Sequence, residues 1–159
     1  INQEDLEKLI RSTGFYKQKA KRIIDFSNYV QEKYSGKINL MFAKNAKELR
    51  KELLSLNGIG KETADSIILY AAHKPIFVID AYTYRILSRL GSITGKEKYD
   101  ELRAKIESEI KPDEKIYNEF HALIVKHAKT LCKNKPLCQD CPLLKECEFG
   151  KSYVKSQPM

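Results

Sequence analysis

The sequence predicts an all-α protein, and three observations carry that reading. Apolar residues recur at helical spacing along most of the 159 residues, alternating β-branched runs are almost absent, and glycine, proline and asparagine fall where one periodic stretch yields to the next. The length suits one ordinary domain or two small lobes sharing a core, and a 42% hydrophobic content argues against a disordered basic tail. The formal net charge is +8, with Lys17, Lys19, Lys21, Arg22, Lys44 and Lys47 and the last third holding much of the excess. Such a spread fits either a solvated surface or a nucleic-acid partner. No stretch approaches the roughly 20 apolar residues that a bilayer span needs. The opening Ile1-Asn2-Gln3-Glu4-Asp5 forms neither a signal peptide nor a lipidation motif, so a soluble, intracellular monomer with no membrane partner is expected.

A first short helix is expected near Glu4 to Arg11, with a turn at Gly14-Phe15. Ala20, Ile23, Ile24, Ser27 and Val30 mark one face of a second helix that ends before Gly36. Asn45 caps a third, running through Leu53-Leu54 into the punctuation Leu56-Asn57-Gly58-Ile59-Gly60. Ala64, Ile67, Ile68 and Ala71 then stand at offsets 0, 3, 4 and 7, and Pro75 stops that helix. Ile76-Phe77-Val78-Ile79 is too short to assign by period and reads as a buried connector. Asp80 stands where an N-cap acceptor belongs, before Tyr82, Ile86, Leu87 and Leu90, and Gly91 supplies the stop. Helices near Lys98 to Glu109 and Ile116 to Leu131 complete the set, the last with Phe120, Leu123, Ile124, His127 and Leu131 on one face. The expected organisation is a helical lobe over 1–91 with its hairpin at 56–61, a second helical lobe over 92–151, and a loose tail over 152–159.

Two clusters carry chemistry. Gly58 and Gly60 can let a hairpin between helices turn its amides outward at a helix N-terminus, where the dipole favours a phosphate, while Ile59 anchors the loop in the core. A plain helix-helix turn with a glycine cap is the competing reading. All four cysteines lie in the last 28 residues as Cys132-x5-Cys138-x2-Cys141-x5-Cys147. This density, without a secretory signal, disfavours disulfides and points to a metal site. Four thiolates suit a 4Fe-4S cluster or zinc, and four uncoordinated thiols are the third possibility. Phe15, Tyr16, Tyr82 and Tyr84 are either core residues or stacking platforms for a base. His73, His121 and His127 lack a spacing that suggests a metal or a dyad and read as structural.

Leu-x-Gly-Ile-Gly-x-x-Thr-Ala-x-x-Ile, from Leu56 to Ile67, resembles the helix-hairpin-helix signature of DNA repair glycosylases. With Asp80 some 20 residues beyond the hairpin and the four-cysteine loop, nearly the whole chain resembles the endonuclease III family of base-excision glycosylases. The resemblance implies a two-lobed helical fold around double-stranded DNA holding a damaged or mismatched base. It further implies backbone contacts from Gly58, Ile59, Gly60, Lys61 and Thr63, a catalytic aspartate at Asp80, and a 4Fe-4S cluster on Cys132, Cys138, Cys141 and Cys147. The family's first cysteine gap most often holds six residues, and here it holds five. Bifunctional members place a nucleophilic lysine two positions after the second glycine, where this sequence has Glu62. Lys61 is one residue early, about 100° of helix rotation, so a monofunctional enzyme is expected. Glu62 is either a helix-start acid or a base- or water-recognising residue. The string Gly58 to Asp65 is especially similar to the 3-methyladenine glycosylase branch, which implies an alkylated purine. A non-catalytic helix-hairpin-helix module with a structural metal and a glycosylase with lyase activity are the alternatives. Family members carry several helices upstream of the point matched by Asn2 to Arg22. This chain, which opens on Ile, is therefore expected to be an N-terminally incomplete portion of the fold.

Overall fold

The computed structural model describes residues 1–156, and every regular element among them is helical. The chain divides into two compact units, Ile1–Ala64 and Asp65 onward, a boundary inside a helix and not after Gly91.

In the first unit, α1 (Gln3–Leu9) starts where the Asn2 side chain accepts from the Asp5 amide at 2.9 Å. A 3₁₀ turn (Arg11–Thr13) and Gly14, at φ +66°, lead into α2 (Tyr16–Tyr34). The inward residues of α2 are Ala20 and Val30, while Ile23 remains 46% exposed, so the apolar face is narrower than its spacing predicts. A short α3 (Ile38–Phe42), too brief to show a period, buries Met41. In α4 (Ala46–Leu54) the Asn45 side chain caps the Glu48 amide at 3.0 Å, as expected, and Leu49 and Leu53 are fully buried. Beside them lies the buried Glu52. Its Oε1 accepts from the hydroxyls of Tyr29 and Tyr34 at 2.5 and 2.6 Å and pairs with Lys33, while Oε2 pairs with Lys44. Four donors thereby satisfy one carboxylate that would otherwise be costly to bury.

The second unit begins within α5 (Lys61–Ser66), whose last turn widens to π-type over Ile67–Ala71, with the Ala72 amide donating to the Ile67 carbonyl at 2.9 Å. The segment after it has no regular secondary structure and is buried through Ile76, Phe77, Val78 and Ile79, as the connector reading expects. No strand pairs with it among the described residues. The Phe77 amide instead donates to Glu107 Oε1 at 2.8 Å and the Ile79 amide to the Tyr99 hydroxyl at 3.3 Å. Both acceptors stand on α7 (Tyr99–Glu109). Asp80 then opens α6 (Ala81–Leu90), which packs on α8 (Glu114–Thr130) and α9 (Glu148–Lys155).

Two expectations are corrected in this unit. The inner face of α8 is Tyr117, His121, Ile124 and Ala128, whereas Leu123 is 51% exposed. The residues that face the core lie one step round the helix from those the sequence singles out. The segment expected as a loose tail is helical through Lys155, because Cys147 caps α9 by accepting from the Gly150 amide at 3.3 Å. Residues 157–159 of that expected tail lie outside the described residues.

Glu52 gives the first unit a pH-dependent stability. Burial, the largest single influence, pushes its carboxyl up, but Lys44, Tyr29, Tyr34 and Lys33 together outweigh it and hold the group at about 2, below the ordinary 4.5. A depressed carboxylate stabilises the fold above its ordinary range and loses that contribution as pH falls toward 2. Chemical denaturation should show wild type exceeding Glu52→Gln by about 2 kcal/mol at pH 7, discounted for the part-exposed lysines. The gap should close between pH 4.5 and 2.

Candidate active site

Asp80 occupies the join between the buried connector and α6. Its Oδ1 accepts from the Thr83 amide at 2.7 Å and from the Thr83 hydroxyl at 2.9 Å, closing a capping box with Thr83. Oδ2 is left out of the cap. It lies 3.5 Å from His121 Nε2 on α8, and the two side chains are 12% and 10% exposed. Burial is the largest influence on the Asp80 carboxyl and pushes it up. His121 and the Thr83 bonds together outweigh it, so the group sits below the usual aspartate value. The result is a largely desolvated, ionised carboxylate with one oxygen committed to the cap and the other facing His121.

His121 is buried beside Asp80. Its Nδ1 is hydrogen-bonded to the Tyr70 hydroxyl, and its ring lies 5.8 Å from that of Tyr70 and 6.3 Å, edge-on, from that of Phe77. The spacing 117, 121, 124, 128 within α8 is the signal that places it inward. His73 is exposed at φ +53° and 3.3 Å from Glu114, and His127 is half-buried with Nε2 3.6 Å from Cys141 Sγ. Burial pushes the His127 imidazole below its ordinary pKa.

The hairpin belongs to the first unit. Gly58 adopts φ +82°, and the Ile59 amide donates to the Leu56 carbonyl at 3.2 Å, closing the turn. Gly60, by contrast, has no positive φ, and a Cβ there would meet nothing within 4 Å, so only one of the two glycines is demanded by the backbone. Ile59 is half-buried rather than a core anchor. Lys61, Glu62 and Thr63 are exposed on the first turn of α5. Phe15 is 83% exposed at φ +49°, which removes it from the core, while Tyr16 is half-buried. The Tyr84 hydroxyl donates to the Glu97 carbonyl at 3.0 Å, and the Tyr82 ring lies beneath Arg85 at 5.1 Å.

The four cysteines line one cavity together with Ile86, Leu131, Leu144 and Phe149. Burial, then the neighbouring Cys147, Cys132 and Cys141, push the Cys138 thiol above its ordinary pKa. Among the described residues no three His, Cys, Asp or Glu side chains gather round a single-ion point. Arg89, at the end of α6, reaches Cys132 Sγ at 3.2 Å, the Lys133 carbonyl at 2.7 Å and the Asn134 carbonyl at 3.4 Å, while stacking on Phe149 at 4.6 Å. No spacing in the sequence signals this clamp, because its partners lie more than 40 positions away.

Residues 1–112 match the family of HhH-GPD superfamily base excision DNA repair proteins, and the chain belongs to that superfamily. A protein of Methanocaldococcus jannaschii, provisionally named a DNA repair glycosylase, is 48% identical over 136 residues, which cover 84% of this chain and 61% of that one. The chain thus spans about three fifths of this relative. An endonuclease III in a non-covalent complex with DNA superposes with a TM-score of 0.79 at 27% identity, covering 98% of this chain and 69% of the other. A 3-methyladenine DNA glycosylase of H. pylori bound to 1,N6-ethenoadenine matches with a TM-score of 0.66 at 34% identity, covering 81% and 64%.

The hairpin geometry separates the two glycines experimentally. Gly58→Ala should lower stability by about 1 kcal/mol, since alanine resists the left-handed region. Gly60→Ala should leave stability within about 0.5 kcal/mol of wild type in the same denaturant titration.

Proposed function

We propose that this chain is the catalytic part of a monofunctional glycosylase that excises an alkylated purine from duplex DNA. The carrying observation is Asp80, a largely desolvated, ionised carboxylate whose Oδ1 belongs to the capping box while Oδ2 is free of it. Hydrolysis of an N-glycosidic bond passes through an oxocarbenium-like sugar. An ionised carboxylate in a low-dielectric setting stabilises that cation and orients water toward C1′. Water forms the new C1′–O bond as the C1′–N bond breaks, the base leaves with the bonding pair, and the proton of the water passes to the carboxylate. A purine alkylated at a ring nitrogen such as N3 or N7 carries positive charge and leaves neutral, so for that class a strong general acid is not needed. The H. pylori neighbour, solved with an etheno-adenine, supports a modified purine as the substrate class.

Glu62 at the hairpin supports hydrolysis without strand cleavage, because a carboxylate cannot form the Schiff base that lyase chemistry requires. The stretch from Gly60 to Thr63, exposed at the start of α5, offers backbone amides to a phosphate, and the exposed Phe15 offers a ring to a base step. Phosphate contacts of this kind position the duplex without reading its sequence. Cys132, Cys138, Cys141 and Cys147 would hold a 4Fe-4S cluster. Four thiolates close its coordination, so the group supplies a folded loop and not a reaction step.

In the full-length protein Asp80→Asn keeps the cap acceptor but removes the charge. Single-turnover excision from a duplex with one alkylated purine should fall at least 100-fold, on the order of 3 kcal/mol, with little change in melting temperature. Borohydride should trap no protein–DNA adduct. Full activity in Asp80→Asn, or an adduct lost in Lys61→Ala, would overturn the reading. Gly60→Ala should weaken duplex binding equally across sequences despite its normal stability, because the added methyl stands where a phosphate would approach. Protein purified without oxygen should be brown and contain about four irons per chain, whereas one tightly held zinc and no colour would overturn the cluster assignment.

A further inference from the structure

Thr83 from α6 and His121 from α8 meet at Asp80, and the cap accounts for only half of that carboxylate. Oδ1 is saturated by Thr83, and Oδ2 faces His121 Nε2 at 3.5 Å without closing a hydrogen bond. Nε2 itself is buried and has no hydrogen-bond partner among the described residues. A buried ring nitrogen left in that state is costly, so its placement needs a reason. On the far side of the ring, Nδ1 is engaged by the Tyr70 hydroxyl.

Tyr70 reaches α8 from the π-type turn Ile67–Ala71, which packs against that helix. One extra residue per turn rotates the downstream backbone by about 100°, and such insertions cluster where a side chain is being aimed. Phe77 closes the ring in edge-on. In a neutral imidazole the two nitrogens have opposite roles, and the partner of one sets the proton on the other. A Tyr70 hydroxyl donating to Nδ1 leaves Nε2 as an N–H aimed at Asp80 Oδ2. The opposite tautomer would set a lone pair against a carboxylate.

We propose that Tyr70 and His121 are positioning residues for Asp80: Tyr70 fixes the His121 tautomer, and His121 Nε2–H holds Asp80 Oδ2 ionised and aimed. This inference rests on the catalytic reading of Asp80. The two groups stand 3.5 Å apart, and catalytic hydrogen bonds commonly tighten only in the substrate complex. The titratable groups acting on the carboxylate are His121 from α8 and Tyr70 from the π-type turn, while Thr83 bonds to it from its own helix. Among the influences that hold Asp80 low, His121 comes first and burial opposes it, so removing the imidazole leaves burial to push the carboxyl up.

The test uses the full-length protein as wild type, His121→Leu, His121→Gln and Tyr70→Phe, with the carboxyl carbon of Asp80 followed by NMR against pH. His121→Leu should raise the Asp80 titration midpoint. The acid limb of the single-turnover excision profile should shift up by the same interval, and the neutral-pH rate should fall roughly 10- to 100-fold. His121→Gln, which keeps an N–H donor, should recover part of both. Tyr70→Phe should move the imidazole nitrogen shifts of His121 toward a tautomer mixture and raise the Asp80 midpoint by less. An unchanged Asp80 midpoint in folded His121→Leu overturns the proposal. Should that variant not fold, unchanged nitrogen shifts and midpoint in Tyr70→Phe overturn it equally. Active Asp80→Asn would sink the catalytic reading instead, and the carboxyl titration would still decide whether the relay exists.

Discussion

The second unit depends on burying an irregular segment that, among the described residues, pairs with no strand. Ile76 to Ile79 are almost wholly removed from water, so their backbone groups must find partners elsewhere. Glu107 and Tyr99 provide two of them from α7. The segment must then end abruptly, and Asp80 ends it by turning the chain into α6 through the capping box. Fixing the start of α6 fixes its far end about 15 Å away. There Arg89 takes hold of the Cys132–Asn134 stretch, and Gly91, at φ +85°, lets the chain pass so close to Glu148 that a Cβ would collide with its carboxylate. One ten-residue helix thus carries the Asp80 carboxylate at its head and the anchorage of the cysteine loop at its tail.

The features legible in the sequence are those written locally. Asp80 is visible because a cap acceptor is recognised by the three residues after it. The hairpin is visible in two glycines two positions apart, although the structure asks the left-handed region only of Gly58, and Gly60 is free of that demand. The cysteines announce a common site by density alone, and they do line one cavity. The illegible features are set by long-range packing. The role of His121 escapes a reading of spacing because its meaning lies in Asp80, Tyr70 and Phe77, the first two 41 and 51 positions away. Leu123 reads as core by period, yet the inner stripe of α8 runs through Tyr117, His121, Ile124 and Ala128. The apolar pattern is correct in kind but off by one step in phase, and a polar residue takes a place that hydrophobicity counting reserves for an apolar one. A helix at the C-terminus is hidden for a similar reason: its cap is a cysteine, an acceptor outside the usual set.

Two desolvated carboxylates show how the same group is put to opposite uses. Glu52 is met on both oxygens, by two hydroxyls and two ammonium groups, and is held at about 2. Its charge is already balanced by that ring of donors, so the group has nothing left to offer a substrate and serves to knit α2, α4 and the turn after α3 together. Asp80 is desolvated as well, yet its protein donors are concentrated on Oδ1, and the group facing Oδ2 stands off at 3.5 Å. A carboxylate solvated by a complete ring of donors has little attraction left for a further cation. One that is ionised but incompletely satisfied keeps an attraction that a developing positive charge can meet. The fold keeps Asp80 in that state by offsetting its burial cost from two sides, through His121 facing Oδ2 and through a Thr83 cap on Oδ1 that the helix needs in any case. The depressed carboxyl of Asp80 at a helix start therefore follows from physics: the N-terminus supplies amide donors that favour the anion, and the cap engages Oδ1 while Oδ2 faces His121.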